Sequence, residues 1–441
     1  MGLLGVLVCS IGLTGPALWA DELATWGAAR LSFGQLVRLV QHVDVVLAPY
    51  YVFMDLWVRV AGTSEVALRV PSVLAAGATV ALTVRLGTHL GGRRVGVTAG
   101  LLLLLVPAVD RFGQEARPYA FGTLGVVLAA WLLVSGDRWR HDLGGAAALL
   151  FASLMQPMTL LSVPGLALAR PTGRRLALLA AACLPATGML LVGLTHQSAA
   201  WSWIHRMTWE EVPGQLAAIS GASVGLAVLV LAALGIRRET LVPAVWAFGA
   251  IALLLLPGLV EPLYVPRMLL FTTPALAILG AVALSRVGRA GAVAGLVVLG
   301  VAALPPLVQV RQPDGHNSQN TRLVRDIRAQ PGDVVVYETN NPSIPWSPRD
   351  AVAYYLAPDQ RPRDVLMTRP PRTDGHFLAG ECTDLPRCLG TPARVWLVRA
   401  STPRDPLAGL DHGKGTYLRK HYRIASLEQE SRMTVALLVL R

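Results

Sequence analysis

Apolar residues follow one another from residue 2 to about residue 309 in blocks of 13 to 21, separated by short groups rich in Arg, Asp, Gly and Pro. A helix rises about 1.5 Å per residue, so about 20 apolar residues cross the hydrocarbon layer of a bilayer. The blocks at 2–18, 68–88, 95–109, 119–135, 143–155, 157–169, 176–194, 217–236, 241–259, 268–284 and 291–309 therefore predict about 11 transmembrane helices. Gln156-Pro157 splits one long run into two short ones, which must tilt or form a re-entrant hairpin. The first block resembles the apolar region of a signal peptide, but no basic stretch precedes it, so a retained helix is expected. Residues 47–61 are interrupted by Asp55 and Arg59 and predict an interfacial helix.

The pattern changes after residue 310. Residues 311–441 hold 33 of the 66 charged side chains, and their apolar runs are short. This divides the chain into a transmembrane domain, 1–310, and a water-soluble α/β domain, 311–441. Within the latter a helix is expected over Thr321–Ala329, then a turn at Pro331-Gly332-Asp333. Strands are expected at 334–338, 393–398 and 433–440, a helix near 350–356, and Pro-rich loops at 342–348 and 358–371. No GxGxxG or P-loop pattern suggests a nucleotide.

Composition agrees with the pattern. A hydrophobic content of 53%, only 15% charged residues and a mean hydropathy of +0.50 exclude a soluble enzyme. The net charge of +12 comes from 37 Arg and 2 Lys scattered over many loops. Nucleic acid would require a basic cluster on one soluble face, so membrane lipids and orientation explain the charge better. If 47–61 does not cross, the Arg-rich loops at 92–94, 137–142, 170–175, 237–238 and 286–289 share one side, expected to be cytoplasmic. The opposite face then carries 21–69, 110–117, 196–213, 261–267 and an extracytoplasmic C-terminal domain. Cys382 and Cys388 lie there and are candidates for a disulfide, while Cys9 and Cys183 fall in apolar runs.

Four polar constellations fall on that outer face. They are Asp21-Glu22 with an amphipathic stretch to residue 40; Gln114-Glu115-Ala116-Arg117-Pro118-Tyr119; Tyr264-Val265-Pro266-Arg267; and the loop with His196, Trp201, Trp203, His205, Arg206, Trp209, Glu210 and Glu211. Singly, each has a plain explanation: carboxylates mark helix ends, arginines snorkel, and tryptophans form an interfacial belt. Together, carboxylates and guanidiniums suit group transfer from a lipid-linked phosphate. A carboxylate base accepts a proton from an attacking hydroxyl, and arginines bind the departing phosphate. No metal-ligand spacing is present around the histidines, and a divalent cation held by the lip carboxylates stays open as an alternative.

Trp19-Ala20-Asp21-Glu22, Gly62-Thr63-Ser64-Glu65-Val66-Ala67-Leu68-Arg69-Val70-Pro71-Ser72 and Gln114-Glu115-Ala116-Arg117-Pro118-Tyr119 together resemble the GT-C glycosyltransferases. The nearest branch is the protein O-mannosyltransferase and aminoarabinose transferase-like group, glycosyltransferase family 39-like. The resemblance covers roughly residues 1–310. It implies an inverting enzyme that uses a polyprenyl- or dolichyl-phosphate sugar. The family's base in the first external loop falls on Asp21, and its second acidic pocket residue on Glu115. The arginine that opens a later helix and contacts lipid phosphate falls on Arg267. Where relatives often have Pro-Pro or Lys-Pro, this chain has Ala48-Pro49-Tyr50-Tyr51.

The expectation is a plasma-membrane glycosyltransferase moving a sugar, mannose being one candidate, from a polyprenyl-phosphate donor to a lipid, glycan or protein acceptor on the outer face. Asp21 and Glu115 are its expected catalytic residues; Glu22, Arg117, Tyr119, Arg267 and His205 its expected substrate contacts. The rivals are a lipid or solute transporter, and a non-catalytic scaffold with an external binding domain.

Overall fold

The computed structural model describes residues 1–221 and 224–441. They form two compact units: Met1–Leu13 with Asp44–Tyr50 and Val66–Val310, and Thr14–Val43 with Tyr51–Glu65 and Arg311–Arg441. The first is helical and the second is mixed α/β.

Four stretches, Glu65–Leu104, Gly173–His196, Arg238–Gly258 and Pro266–Gln309, all but Glu65 itself in the helical unit, are long and apolar enough to cross a bilayer by length and composition. Tyr119–Ser135, Pro157–Ala167 and Gly225–Leu234 are shorter apolar helices. On Gly288–Gln309 the side chains of Val293, Val297, Val298, Val301 and Leu304 are each at least 58% exposed. A row of bare aliphatic side chains is unfavourable in water and at home in hydrocarbon. The protein is an integral membrane protein. Inside, Val126, Leu149, Trp246, Phe271, Leu276 and Leu279 are fully buried in one core.

Several boundaries differ from expectation. The first block is helical only over α1 (Gly2–Ser10); Ile11 is extended and Gly12 has φ +68°. Gly12, Gly15 and Pro16 read as apolar in a hydropathy pattern, yet glycine and proline do not propagate a helix. Chain order continues with α2 (Ala20–Ala28), α3 (Phe33–His42), α4 (Ala48–Ala61) and α5 (Glu65–Leu104). The expected pair 68–88 and 95–109 is α5, broken at Gly92, whose φ of 82° and ψ of 171° are accessible only to glycine. Then come the short α6 (Pro107–Gly113), α7 (Tyr119–Ser135) and α8 (Trp139–Met155). Beyond Gln156 the chain is a 3₁₀ turn, Pro157–Ser162, and one turn of helix, Val163–Ala167. The expected span 217–236 includes Ala222 and Ser223, which lie outside the described residues; Gly225–Leu234 is helical.

The α/β unit is built on a four-stranded sheet in the order β1-β4-β6-β5. Its strands are β1 (Val334–Tyr337), β4 (Arg394–Arg399), β5 (Tyr422–Glu430) and β6 (Met433–Leu440); β2 (Met367–Arg369) and β3 (Gly380–Glu381) form a separate ribbon. β1 runs parallel to β4, with Val334 opposite Val395, and β6 is antiparallel to both β4 and β5. β1 is buried along its whole length, as a parallel strand covered on both faces must be. The expected helix at Thr321–Ala329 is instead a 3₁₀ segment, Thr321–Asp326, and β5 was not expected. β5 carries Ala425, Leu427, Glu428, Gln429 and Glu430, ordinary helix formers, and is a strand because it pairs with β6 from Tyr422 to Glu430, with one irregularity between Ile424 and Ser426. Cys382 and Cys388 are joined by a disulfide, with Cα atoms 6.4 Å apart.

Candidate functional site

In the helical unit the second acidic constellation follows α6, whose Pro107 occupies the first helical turn, where a missing N–H costs nothing. Glu115 is fully buried and accepts a hydrogen bond at 3.0 Å from Nε of Arg111, four residues earlier. Its Oε2 has no hydrogen-bond partner among the described residues. A buried carboxylate oxygen in that state is costly unless something else donates to it. Arg117 is 8% exposed, and its carbonyl accepts from the Ser72 hydroxyl at 3.4 Å. Gln114 donates to the Ile11 carbonyl at 2.9 Å, and the fully buried Arg69 donates to the Leu13 carbonyl at 2.7 Å.

Tyr119 and Arg267 meet, although 148 residues separate them. Nε of Arg267 donates to the Tyr119 hydroxyl at 2.9 Å, and the guanidinium lies 4.9 Å from the centre of the Trp203 ring. Tyr119 in turn packs edge-on against Phe112 at 5.1 Å. A guanidinium fixed through Nε and one flat face keeps its fork of N–H groups in a defined plane, the geometry suited to two phosphate oxygens. His205 is not part of this cluster. It is exposed, 3.5 Å from Glu211, whose carboxyl is held below the usual range mainly by the Thr208 backbone N–H.

In the α/β unit Asp21 and Glu22 occupy the first turn of α2. They are adjacent but differently placed: Asp21 is half-buried, whereas Glu22 is fully buried with His316 Nδ1 at 3.5 Å from its Oε2. The α2 backbone is gripped from afar. Gln319 accepts from the Ala20 N–H at 3.0 Å, and Trp346 Nε1 donates to the Ala20 carbonyl at 3.0 Å. One residue upstream of Trp19, the Leu18 N–H donates to the Tyr355 hydroxyl at 2.8 Å, and its carbonyl accepts from Thr321 at 2.6 Å. Tyr355 also donates to Glu65, which pairs with Arg322 at 2.5 Å. Burial raises the Tyr355 phenol well above its ordinary value, so it remains a donor to that carboxylate. Asp350 and Arg372 form a second buried pair, and Arg372 lies so close to α2 that a Cβ on Gly27 would stand 2.5 Å from its guanidinium carbon.

No protein-family model and no curated protein matches this sequence. Solved structures do. The crystal structure of ArnT from Cupriavidus metallidurans bound to undecaprenyl phosphate matches with a TM-score of 0.58 and 12% identity, over 99% of this chain and 96% of that one. The same protein in the apo state matches with a TM-score of 0.57 and 14% identity over the same shares. This chain has the fold of ArnT. At such identity the likeness concerns the fold.

Inside the ArnT fold, the residues singled out from sequence fall into two groups. Glu115, Arg117, Tyr119 and Arg267 belong to the helical unit, and Asp21 and Glu22 to the α/β unit. No group of three or more His, Cys, Asp and Glu side chains is placed to hold a metal among the described residues. Sequence reading missed Arg111 as a partner of Glu115, although a basic residue four positions before an acidic one is a recognisable helical pair. Trp203 belongs to the fourth constellation, with an interfacial belt as its plain explanation, and its contact with Arg267 carried no signal in the sequence. His316, Gln319, Thr321, Trp346 and Tyr355 left no signal, because their partners lie about 300 residues away in the chain.

Proposed function

We propose that this protein is a polyprenyl-phosphate-sugar-dependent glycosyltransferase acting at the outer face of the plasma membrane. The observation that carries the reading is the ArnT likeness over 99% of the chain, with one of the matched structures holding undecaprenyl phosphate. The Arg267–Tyr119–Trp203 cluster supports it by presenting an oriented guanidinium to an anionic head group.

In this reading Asp21 is the base. Its carboxylate accepts the proton of an acceptor hydroxyl as that oxygen forms a bond to the anomeric carbon of the donor sugar. The bond from that carbon to the phosphate oxygen breaks, the electron pair leaves with the lipid phosphate, and the configuration inverts. General-base help of this kind is worth about 10²–10⁴ in rate. Arg267 and Arg117 offset the charge that grows on the phosphate. The unpartnered oxygen of Glu115 accepts a hydroxyl of the substrate. The soluble sheet faces the outside of the cell.

The test is transfer by purified full-length protein from radiolabelled polyprenyl-phosphate sugars, with the product identified by mass spectrometry. Asp21→Asn is expected to lower transfer about 10²-fold or more. Wild-type turnover by Asp21→Asn removes Asp21 from the mechanism, and movement of substrate without a covalent product makes the protein a transporter.

A further inference from the structure

The α/β unit has no role in the chemistry just described beyond carrying α2, and it bonds the two peptide groups on either side of Ala20 at the start of that helix. Ala20 is the first residue of the helix and Asp21 the second. The first N–H groups of a helix have no partner within it, and here the residue before the helix, Trp19, supplies no side-chain cap. Gln319 supplies one from 299 residues away by accepting from the Ala20 N–H. The carbonyl of Ala20, bonded directly to the Asp21 nitrogen, has two lone pairs, and Trp346 Nε1 donates to it.

The two clamping side chains are themselves fixed. The Gln319 amide donates through Nε2 to the Ser347 hydroxyl at 2.9 Å, which turns its oxygen toward Ala20. Ser347 is the neighbour of Trp346 and opens the helix Ser347–Tyr355, so both clamps share one foundation. Trp346 leans on the Phe377 ring at 4.9 Å. Ala20, Gln319 and Ser347 are each at most 1% exposed, so water does not compete for the two Gln319 bonds; Trp346 is half-buried.

A merely architectural reading would treat these as ordinary buried hydrogen bonds that happen to lie near α2. Their distribution argues otherwise. Ala20 is held through both its N–H and its carbonyl, and Leu18 likewise through both, by Tyr355 and Thr321. The backbone leading into the base is thereby set in position and in rotation, while the Asp21 side chain stays half-exposed.

We propose that Gln319 and Trp346 are positioning residues for Asp21, clamping the two successive peptide groups that flank Ala20 and lead into it, so that its carboxylate meets the acceptor hydroxyl. This rests on the assignment of Asp21 as the base. Gln319 and Trp346 act through the helix start, by their bonds to the Ala20 backbone.

The experiment uses full-length protein in detergent, with Trp346→Phe, Gln319→Leu, the two combined, and Gln319→Glu, which keeps an acceptor oxygen for the Ala20 N–H. Hydrogen exchange reads the first turn of α2, and steady-state kinetics reads transfer. In the combined variant, amide exchange over residues 20–23 is expected to rise by about 10-fold or more. Its kcat is expected to fall about 10- to 100-fold, as misplacement of a catalytic group by about 1 Å does, with donor KM little changed. Gln319→Glu is expected to keep kcat within about 3-fold, and in an Asp21→Asn background the combined variant is expected to cause no further loss.

Unchanged exchange over 20–23, or an equal further loss without the Asp21 carboxylate, overturns the proposal. If Asp21→Asn abolishes transfer while the clamp variants turn over at the wild-type rate, the clamp fails and the transferase reading stands. If wild-type protein forms no product, that reading fails, and exchange at the helix start still decides whether the clamp exists.

Discussion

Glu115 and Asp21 are both acidic residues beside short helices, yet the protein holds them in opposite ways. Glu115 is held by its own neighbourhood: Arg111 is one helical turn away, and the next residues lead straight into α7. Asp21 sits on a helix whose first turn is fixed by side chains about 300 residues distant. Local restraint forms with the helix itself. Long-range restraint costs loop closure and exists only when a second part of the chain has folded. The Glu115 carboxylate thus takes its Arg111 partner from four residues earlier, while the backbone leading into Asp21 takes its partners from a distant part of the chain.

The largest effect is expected where the α/β unit is weakened. Asp350→Ala leaves the buried Arg372 guanidinium without its counter-charge beside Gly27 of α2. Removing one partner of a buried ion pair costs about 3–5 kcal/mol, expected as a lowered midpoint in thermal unfolding of the detergent-solubilised protein. Next in size is Glu115→Gln, which keeps the shape and removes the charge. If Glu115 contacts substrate, transfer falls about 10²-fold, and Arg111→Met added to it restores nothing. Recovery in the double variant, measured by kcat, assigns Glu115 to pairing with Arg111 alone.

A smaller effect is expected in the helical unit. Trp203→Ala strips one face of the Arg267 guanidinium. Loss of a cation–π contact of about 0.5–2 kcal/mol is expected to raise donor KM by roughly 2- to 30-fold, with little change in kcat. The smallest effect is a pH dependence. Burial pushes the Asp411 carboxyl up, but the Thr339 hydroxyl and the Lys414 ammonium outweigh it and hold the group below its ordinary value. A carboxyl depressed on folding adds stability that is present above its unfolded pKa and lost as pH falls through the folded one. The difference in thermal midpoint between wild type and Asp411→Asn is therefore expected to be full near neutrality and to shrink below about pH 4.

Part of the element map was legible in the sequence. Tyr119–Ser135 coincides with the apolar block 119–135, and β1, β4 and β6 fall within a residue of the short apolar runs after residue 310. These follow from hydropathy and local punctuation, which a chain carries in consecutive residues. Legibility failed where glycine and proline hide inside an apolar run, as at Gly12 to Pro16, and where a strand is made by its neighbour, as in β5. At the candidate site, the meeting of Arg267 with Tyr119 could not be inferred from spacing, and neither could the unequal burial of Asp21 and Glu22. Two adjacent carboxylates look alike until packing exposes one and encloses the other.

By itself, then, the order of residues determined that the chain enters a membrane, where helices such as Tyr119–Ser135 run, and where acids and arginines stand between apolar blocks. Those properties are sums over neighbours in the chain, and burial of apolar length is their cause. Tertiary structure alone decided which oxygen of Glu115 lies unpartnered, which ring carries Arg267, and what grips the helix of Asp21. Hydrogen bonds between distant segments depend on orientation and register that no local pattern encodes, so they exist only once the folded backbone has brought donor and acceptor within about 3 Å.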